Sequence, residues 1–299
     1  MPLPIRASPT ANPRVLIKII DYRSQFLSTL SPLYDAAEVE RFFYLLLEHK
    51  RALKRIDLAV KRDLTFNTNE VAQWDNVVER LKVFEPIQYI IGSTMFFGLE
   101  FEVSPEVLIP RPETEELVQW ILSNNPVASA GNLRILDIGT GSGCIAVSLA
   151  KNLPDATVYA IDVSAGALEI AQRNATRNAA RVTLLHQDIL QTVDLGRTFD
   201  IIVSNPPYIR ELEKNEIRPN VLDHEPHSAL FVANDDALVF YRKIADLALR
   251  NLSPNGQLYF EINQYLGKQT MDLLEMQGFS QLELRTDLYG NDRMIYARL

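Results

Sequence analysis

Residues 134–143 read RILDIGTGSG, an apolar strand that runs directly into a loop with a glycine at every second position. Glycine lets the backbone approach a ligand closely and adopt dihedral angles that other residues avoid. A dinucleotide fingerprint would need a further glycine at position 144, where this chain has Cys144. The spacing therefore favours S-adenosylmethionine, which has no pyrophosphate to hold, over NAD. Taken alone, the loop is also compatible with a simple tight turn.

From residue 134 to residue 299, short apolar segments alternate with amphipathic helical ones. The predicted strands are Arg134–Ile138, Thr157–Ile161, Val182–Leu185, Phe199–Ser204, Gln257–Ile262, Gln281–Leu284 and Met294–Arg298. The predicted helices are Cys144–Leu149, Ala165–Asn178, Leu238–Leu249 and Leu266–Met276. This alternation is typical of an α/β protein with a seven-stranded, Rossmann-like and mainly parallel sheet that helices cover on both faces. A short polar loop separates the last two strands, so the final strand is expected to be antiparallel.

Upstream of the sheet, the apolar residues between Val15 and Phe84 recur at helical spacing. The predicted helices include Val15–Leu30, Ala37–Leu47 and a third one whose apolar face carries Val71, Trp74, Val77, Val78, Leu81 and Phe84. Asn67 or Thr68 is expected to cap this third helix, with Glu70 in its first turn. A small helical domain is therefore predicted for residues 1–85.

A β-hairpin is predicted between the helical domain and the sheet. Residues Tyr89–Val103 are rich in aromatic and β-branched side chains, with Gly92 and Gly98 as breakers. Two prolines in the segment Leu108–Glu115 then exclude regular structure before a helix from Glu115 to Leu122. We assign residues 86–114 to the hairpin and linker, and residues 115–299 to the domain that holds the sheet.

Acidic residues follow two further strands of the predicted sheet. Because ligands of open α/β sheets bind at the carboxyl ends of the strands, these acids are expected near the glycine loop. Asp162 can accept hydrogen bonds from both hydroxyls of an adenosyl ribose; its alternative role is to cap the next helix, which Ser164 also suits. Asp188 is placed to meet the exocyclic amine of adenine, with Ile189 as an apolar wall and backbone donor. An ordinary turn residue is the alternative for Asp188.

The decisive motif is Ser204–Tyr208, which reads SNPPY and follows a predicted strand. An amide or aryl amine nitrogen is a poor nucleophile because its lone pair is delocalised. The Asn205 side-chain oxygen and the free Pro206 carbonyl can accept both of its N–H bonds and hold it for in-line methyl transfer. Pro207 stiffens the loop, and Tyr208 can stack on a planar acceptor. Without a ligand, two prolines after a strand are an ordinary stop signal.

The composition sets limits on location and partners. The chain has 299 residues, of which 47% are hydrophobic and 23% charged, as expected of a globular protein with about two domains. No apolar stretch reaches the roughly 20 residues that span a bilayer, and the single Cys144 excludes an intramolecular disulfide, so a cytoplasmic location is expected. The formal net charge of −8 weakens a nucleic-acid interpretation. Basic residues between Lys50 and Arg62 form either a solvated helix face or a docking surface for an acidic partner.

With these motifs in view, the chain resembles the protein-glutamine methyltransferase family that modifies peptide chain release factors. The resemblance runs over residues 85–299, and only helical character supports it further upstream. The segment Leu108–Glu115, LIPRPETE, is the most diagnostic part, because generic methyltransferases lack it. The other matching stretches are Glu85-Pro86, Tyr89–Gly92, Asp137–Gly143, Ser204–Ile209, Glu225-Pro226 with Ala229-Leu230, Tyr241-Arg242 and Asn291–Arg293.

The resemblance implies a site and a substrate. S-adenosyl-L-methionine would bind to Gly139, Thr140, Gly141, Ser142, Gly143, Asp162, Ile189 and Asn205, and the product would be S-adenosyl-L-homocysteine. The residues Asn205, Pro206, Pro207 and Tyr208 would hold the acceptor, the glutamine of a Gly-Gly-Gln motif. Arg111, Glu113 and Glu115 would brace the active-site entrance, with Arg111 and Glu113 on the substrate side. The helical domain would help to dock the release factor. One departure from the family is Asp235-Asp236-Ala237, where glycine usually follows the second acid, which puts the local turn in doubt.

Alternatives remain at this point. An enzyme that methylates a glutamine of a large-subunit ribosomal protein shares the catalytic loop. An adenine amino-methyltransferase of DNA or RNA also uses Asn-Pro-Pro-Tyr, with the base flipped out of the helix; the acidic charge and the lack of a target-recognition insert between Tyr208 and Gln257 count against it. A non-catalytic S-adenosylmethionine-binding protein is a third possibility. We expect a monomer with release factors as partners and with no direct binding to nucleic acid, membrane or metal.

Overall fold

The computed structural model describes residues 16–126 and 131–299. They form two compact units that divide between Ile91 and Gly92. The start of the first predicted helix at Val15 and the extension before it lie outside the described residues. In the described part of the chain, no helix combines the length and the apolar character that crossing a membrane requires.

The first unit is mainly helical. Its elements are β1 (Ile17–Lys18), α1 (Ile19–Leu30), α2 (Ala36–Arg51), α3 (Arg55–Val60), β2 (Thr65–Phe66), α4 (Thr68–Lys82) and α5 (Ile87–Ile91). Trp74 lies at the centre of the core, with ring-centroid distances of 5.0–6.1 Å to Tyr22, Phe26, Phe43 and Phe66. Aromatic pairs at such distances stabilise a core by about 0.5–1.5 kcal/mol each beyond the burial of their area.

Helix α4 confirms the predicted cap. The Asn67 side-chain oxygen accepts from the backbone N–H of Asn69 and Glu70, both at 3.0 Å, and the Glu70 carboxylate accepts from the Asn67 N–H at 2.9 Å. The first turn of a helix leaves backbone N–H groups without partners, and the Asn67 side chain accepts from two of them here. In return, the Glu70 side chain accepts from the backbone N–H of the cap residue. The first helix starts later than predicted, because Ile17 and Lys18 pair with strand β2 instead.

Part of the basic cluster between Lys50 and Arg62 is neutralised within the first unit. Arg51 forms an ion pair with Glu70, and Arg55 lies 3.4 Å from the Glu40 carboxylate. Lys54 lies 4.0 Å from Glu48. These pairs favour the interpretation of the cluster as a solvated helix face.

The second unit begins with a hairpin and contains the sheet. Its upstream elements are β3 (Ser93–Phe96), β4 (Leu99–Glu102) and α6 (Pro112–Asn124). The hairpin is confirmed, but Tyr89, which was predicted to lie in it, belongs to α5. Helix α6 starts at Pro112, three residues earlier than predicted, because proline at a first helical position needs no N–H partner.

The remaining elements build an α/β layer structure. They are β5 (Arg134–Ile138), α7 (Cys144–Asn152), β6 (Thr157–Asp162), α8 (Ala165–Arg177), β7 (Val182–His186), β8 (Phe199–Ser204), β9 (Ile209–Arg210), α9 (Pro219–Leu222), α10 (His227–Leu230), β10 (Phe231–Val232), α11 (Val239–Asn251), β11 (Leu252–Glu261), α12 (Gly267–Met276), β12 (Ser280–Thr286) and β13 (Asp292–Arg298). Two 3₁₀ turns, Glu211–Glu216 and Asn234–Asp236, complete the unit.

The sheet has seven strands in the order β12-β13-β11-β8-β5-β6-β7. Strands β11, β8, β5, β6 and β7 are parallel, and β13 runs antiparallel to both of its neighbours, as predicted. The chain order reverses at β5, which lies between β6 on one side and β8 on the other. Such a switch point opens a crevice beyond the carboxyl ends of the strands, where ligands of α/β proteins bind.

Both faces of the sheet are buried. Ile135 belongs to a first buried cluster, which includes Ala146 of α7, whereas Leu136 belongs to a second cluster, which includes Tyr241 of α11. Successive side chains of a strand point to opposite faces, so the two clusters cover opposite sides of the sheet. Burying one such Leu or Ile contributes about 1.5–3 kcal/mol. This core fixes the strand ends that carry the site.

The departure at Ala237 causes no strain. Its φ is −62° and its ψ −18°, a right-handed helical conformation in which alanine is as acceptable as glycine. Asp236 at the same turn accepts two bonds from the Arg242 guanidinium, at 2.9 and 3.0 Å. The ion pair stabilises the turn, and the negative φ of Ala237 means that glycine is not required at this position.

Candidate active site

The glycine loop lies at the carboxyl end of β5. Gly139, Gly141 and Gly143 have φ values of +72°, +53° and +81°, which side-chain-bearing residues rarely adopt. A Cβ built on Gly139 or Gly141 meets no atom of the described residues within 4 Å, whereas one on Gly143 lies 3.1 Å from the Ala171 Cβ. The first two glycines therefore border open space at the sheet edge, and the third permits close packing of α7 on α8.

The other two loop residues face the protein. The Thr140 hydroxyl donates to the Asp137 carboxylate at 2.6 Å, and the Ser142 carbonyl accepts from the Asn174 side chain at 2.8 Å. Both side chains are buried. The Thr140 backbone is also engaged, because its N–H donates to the Ile161 carbonyl at 3.1 Å and its carbonyl accepts from the Gly143 N–H at 2.8 Å. Contacts of Thr140 and Ser142 with a cofactor stay predictions.

Asp162 ends β6 and holds the loop. One carboxylate oxygen accepts from the Gly141 N–H and the other from the Ser164 N–H, both at 2.9 Å. The helix-capping alternative for Asp162 falls to Ser164, whose hydroxyl accepts from the Ala167 N–H. Each oxygen of an ionised carboxylate can accept a second bond, so Asp162 keeps capacity for ribose hydroxyls.

Asp137, at the fourth residue of β5, is a site residue that sequence reasoning missed. Its Oδ2 accepts from Thr140 and from the Ala146 N–H, while its buried Oδ1 has no partner among the described residues. Burial raises the pKa of the Asp137 carboxyl to about 7, although these two hydrogen bonds act in the opposite direction. Its signal was an acid two residues before Gly139, the first glycine of the loop. A buried carboxyl oxygen without a partner accounts for the raised pKa, and the positive charge of a bound sulfonium cofactor would favour the ionised form of Asp137.

The raised pKa of Asp137 predicts a pH effect on stability. The folded protein keeps a proton that the unfolded chain releases, so this residue lowers the free energy of unfolding as pH rises towards about 7, and no further above it. The free energy of unfolding of Asp137→Asn is therefore expected to increase relative to that of the wild type by about 2–3 kcal/mol between pH 5 and pH 8. Urea unfolding of both proteins across this pH range measures the difference between their free energies of unfolding. The contributions of other carboxyls cancel in this difference because both proteins share them. If the free energies of unfolding of the two proteins changed in parallel with pH, the raised pKa of Asp137 would be contradicted.

Asp188 and Ile189 follow β7. One Asp188 carboxylate oxygen accepts from the Leu190 N–H at 2.9 Å, and its carbonyl accepts from the Thr192 N–H and hydroxyl. Asp188 thus stabilises its own turn, which was the alternative interpretation. Ile189 is half-buried and packs against the second cluster. Their contacts with adenine stay predictions.

The loop Asn205–Tyr208 begins where β8 ends, beside the glycine loop. Ser204 pairs in register with Ile138, and its hydroxyl donates to the Ile138 carbonyl at 2.7 Å. The Asn205 side-chain nitrogen donates to the Thr114 hydroxyl at 3.3 Å. Among the described residues nothing donates to the Asn205 Oδ1 or to the carbonyl of the buried Pro206. Two acceptor oxygens of this loop therefore remain for a ligand.

Tyr208 anchors the far end of the loop, after the half-buried Pro207. Its hydroxyl donates to Glu261 at 3.2 Å, and its carbonyl accepts from the Asn263 side chain at 2.9 Å. Burial, and next the negative charge of Glu261, raise the pKa of Tyr208 well above its ordinary value, so it remains a neutral donor. Glu261 and Asn263 were not predicted as site residues.

Arg111 has a partner inside the second unit. Its guanidinium lies 2.5 Å from the buried Glu225 carboxylate, which also accepts from the Ile109 N–H at 3.3 Å. Glu115 accepts from the Phe97 N–H at 2.7 Å and holds the hairpin turn. The Glu113 side chain is half-buried and makes no hydrogen bond to another described side chain or to the described backbone. Substrate contacts of Arg111 and Glu113 stay predictions.

A surface cavity of about 150 Å³ adjoins the Tyr208 end of the loop. Its walls combine apolar side chains with amide, carboxylate and guanidinium groups, as suits a peptide. The lining residues are Tyr208, Ile209, Glu213, Glu216, Ile217, Asn263, Gln264, Tyr265 and Arg293.

The sheet order, the glycine loop and the acid at the end of β6 define a class I S-adenosylmethionine-dependent methyltransferase. The family described as Methyltransferase small domain matches residues 114–226, and the family PrmC N-terminal domain matches residues 23–92. The chain belongs to the release factor glutamine methyltransferase family. It is 58% identical over 282 residues to the release factor glutamine methyltransferase of Flavobacterium psychrophilum, covering 94% of this chain and 98% of that protein.

Other relatives agree with this membership. The release factor glutamine methyltransferase of Bacteroides thetaiotaomicron is 45% identical over 270 residues, covering 90% of this chain and 96% of that protein. A crystal structure of a methyltransferase from Pyrococcus furiosus superposes with a TM-score of 0.51 at 20% identity, covering 77% of this chain and 98% of that one. The structural likeness supports the fold alone, and the sequence relatives establish the family.

Proposed function

We propose that this enzyme transfers the methyl group of S-adenosyl-L-methionine to the side-chain amide nitrogen of the glutamine in the Gly-Gly-Gln motif of peptide chain release factors. The observation that carries the proposal is the position of the Asn205–Tyr208 loop. It lies at the switch point of the sheet, beside the glycine loop, with two oxygens left to accept. Release factor glutamine methyltransferases among the relatives supply the substrate class.

The loop addresses the low nucleophilicity of an amide. Asn205 Oδ1 and the Pro206 carbonyl accept the two N–H bonds of the glutamine amide, which orients the nitrogen and favours its pyramidalisation. The cofactor supplies an electrophilic methyl carbon on a sulfonium, whose C–S electron pair leaves with a neutral thioether. A new N–C bond forms, and the nitrogen then loses one proton to water. Positioning and acceptors preorganised for charge developing on nitrogen account for most of the catalysis.

We assign the cofactor to the edge formed by β5, β6 and β7. The backbone of Gly139–Gly143 approaches it closely, Asp162 accepts from the ribose, and Asp188 with Ile189 borders the adenine. The open space at Gly139 and Gly141 and the unpartnered Asp137 oxygen support this assignment. Asn205 adjoins both ligands.

We further propose that the helical unit docks the release factor and that the enzyme works as a cytoplasmic monomer without direct binding to nucleic acid or membrane. The match of residues 23–92 to the PrmC N-terminal domain and the net charge of −8 support this part. The boundaries 1–85 and 115–299 belong to the same proposal, with residues 86–114 as the connection.

Methyl labelling tests the acceptor. The protein is incubated with methyl-labelled S-adenosylmethionine and a cognate release factor, and the label is located by mass spectrometry. We expect one methyl group on the glutamine of the Gly-Gly-Gln motif, and none on a release factor in which that glutamine is replaced by alanine. Ribosomal proteins and adenine-containing oligonucleotides serve as control substrates. Label that appears on these substrates and not on the release factor would overturn the proposal in favour of the corresponding alternative.

A further inference from the structure

A buried carboxylate is linked to the catalytic asparagine through one hydroxyl. Glu261 is the last residue of β11 and is 1% exposed. Its Oε2 accepts from the Thr114 hydroxyl at 2.7 Å, and the same hydroxyl oxygen accepts from the Asn205 Nδ2 at 3.3 Å. The three groups form the chain Glu261, Thr114, Asn205, which we call the amide relay. Thr114 itself is 2% exposed, so water does not compete for its hydroxyl.

Counting hydrogens shows that the relay has a direction. Both oxygens of Glu261 accept from hydroxyls, Oε2 from Thr114 and Oε1 from Tyr208, so the carboxylate acts as an acceptor at each end and the single hydrogen of the Thr114 hydroxyl is used on Glu261. Burial raises the pKa of Glu261, whereas these hydroxyl bonds and the positive charge of Arg293 lower it and favour the ionised form. The Thr114 oxygen can then only accept from Asn205, which requires the nitrogen end of the amide to face it. The oxygen end of the amide is consequently turned the other way. A side-chain amide on its own has no such preference, because its two ends have nearly the same shape.

The orientation of the Asn205 amide matters for methyl transfer to a glutamine amide, so the inference rests on the proposed function. A substrate amide offers two N–H donors, and only the oxygen end of Asn205 can accept one of them. With the nitrogen end turned towards the substrate, donor would face donor. We infer that Glu261 and Thr114 are positioning residues that set which end of the Asn205 amide meets the acceptor nitrogen.

Glu261 also holds the other end of the catalytic loop. Its Oε1 accepts from the Tyr208 hydroxyl at 3.2 Å, so the carboxylate constrains both the first and the last residue of the segment Asn205–Tyr208. The register of strands β11 and β8 explains how Glu261 reaches this segment. Phe260 pairs with Ser204, which places the next residue of β11 beside the next residue of the chain after β8.

Near-isosteric variants test the relay. Thr114→Val removes the hydroxyl and keeps the shape, while Glu261→Gln adds a donor that frees the Thr114 hydrogen to reach the Asn205 oxygen. Each is expected to lower kcat for release factor methylation about 10–100-fold, with a change in the KM for the release factor within about threefold. The double variant is expected to lose little more than the worse single variant, because both break one relay. Thr114→Ser keeps the hydroxyl and should retain most of the kcat.

The control is Thr270→Val in α12. Thr270 is 0% exposed, and its hydroxyl donates to the Leu266 carbonyl at 2.8 Å, so this variant removes an equally buried hydroxyl from outside the relay. Melting temperatures of all variants show what the loss of a buried hydrogen bond does to folding alone. A kcat loss in Thr114→Val no larger than in Thr270→Val would overturn the inference. A Thr114→Ser variant as slow as Thr114→Val would overturn it as well.

A direct readout separates the relay from the acceptor assignment. The side-chain ¹⁵NH₂ resonances of Asn205, assigned by their disappearance in Asn205→Ala, report the hydrogen bond of Nδ2. We expect them to shift in Thr114→Val and Glu261→Gln and to stay in place in Thr270→Val. Unchanged resonances in both relay variants would refute the relay whatever the protein methylates. Failure of the wild-type enzyme to methylate a release factor, with these shifts present, would contradict the proposed function and leave the relay supported.

Discussion

Asn205→Ala is expected to lower kcat for release factor methylation by about 10³-fold, a loss of roughly 4 kcal/mol of transition-state stabilisation. The variant removes one of the two oxygens that accept from the substrate amide, and it leaves the Pro206 carbonyl in place. Cofactor affinity should change far less, by about tenfold at most, because Gly139–Gly143 and Asp162 keep their positions at the neighbouring strand ends. Steady-state methylation and calorimetric titration with S-adenosylmethionine measure the two quantities.

Asn178→Ala is the matched control for this variant. Asn178 lies in the same unit, and its side chain donates to the Glu100 carbonyl at 2.9 Å, away from the catalytic loop. Any general cost of removing a hydrogen-bonded asparagine side chain will therefore appear in this control. An Asn205→Ala enzyme that loses cofactor affinity as strongly as it loses kcat would show that Asn205 acts mainly on the cofactor, against the role proposed here.

The order of strands and helices around the site was predictable from the sequence, because it depends on local patterns. Apolar segments of four to six residues and amphipathic helical segments alternate in the sequence from Arg134 onward, and the glycine loop marks the first strand end. The boundaries were less accurate where pairing between distant residues decides them. Ile17 and Lys18 continue an apolar helical pattern, yet they form a strand because Thr65 and Phe66 lie opposite.

The supports of the site were not predictable in the same way. Thr114 lies inside the diagnostic segment Leu108–Glu115, but its bond to Glu261 joins residues 147 positions apart. Arg111 looked like a residue of the active-site entrance, and its ion pair with Glu225 spans 114 positions. A sequence shows which side chains have the chemistry for a site, whereas the partner that orients each of them depends on the folded sheet.

Asp162→Ala is expected to weaken S-adenosylmethionine binding about 10²-fold, with a smaller effect on kcat at saturating cofactor. Hydrogen bonds to a charged group contribute about 1.5–3 kcal/mol each, and Asp162 is proposed to accept from both ribose hydroxyls. The variant also removes the acceptor of the Gly141 N–H, so the glycine loop loses a support on the side that faces the cofactor. Calorimetric titration gives the Kd, and methylation at saturating cofactor gives kcat.

Ser164→Ala is the control that separates cofactor binding from local folding, because Ser164 is two residues from Asp162 and caps α8 by accepting from the Ala167 N–H at 3.1 Å. Its loss should cost about 1 kcal/mol of stability and change the Kd for S-adenosylmethionine by less than about twofold. If the Kd rose equally in Asp162→Ala and Ser164→Ala, the effect of Asp162 would lie in ordering the helix start. A large rise confined to Asp162→Ala assigns the effect to the carboxylate, through the ribose hydroxyls and the Gly141 N–H that it accepts from, since a disturbed helix start would affect both variants.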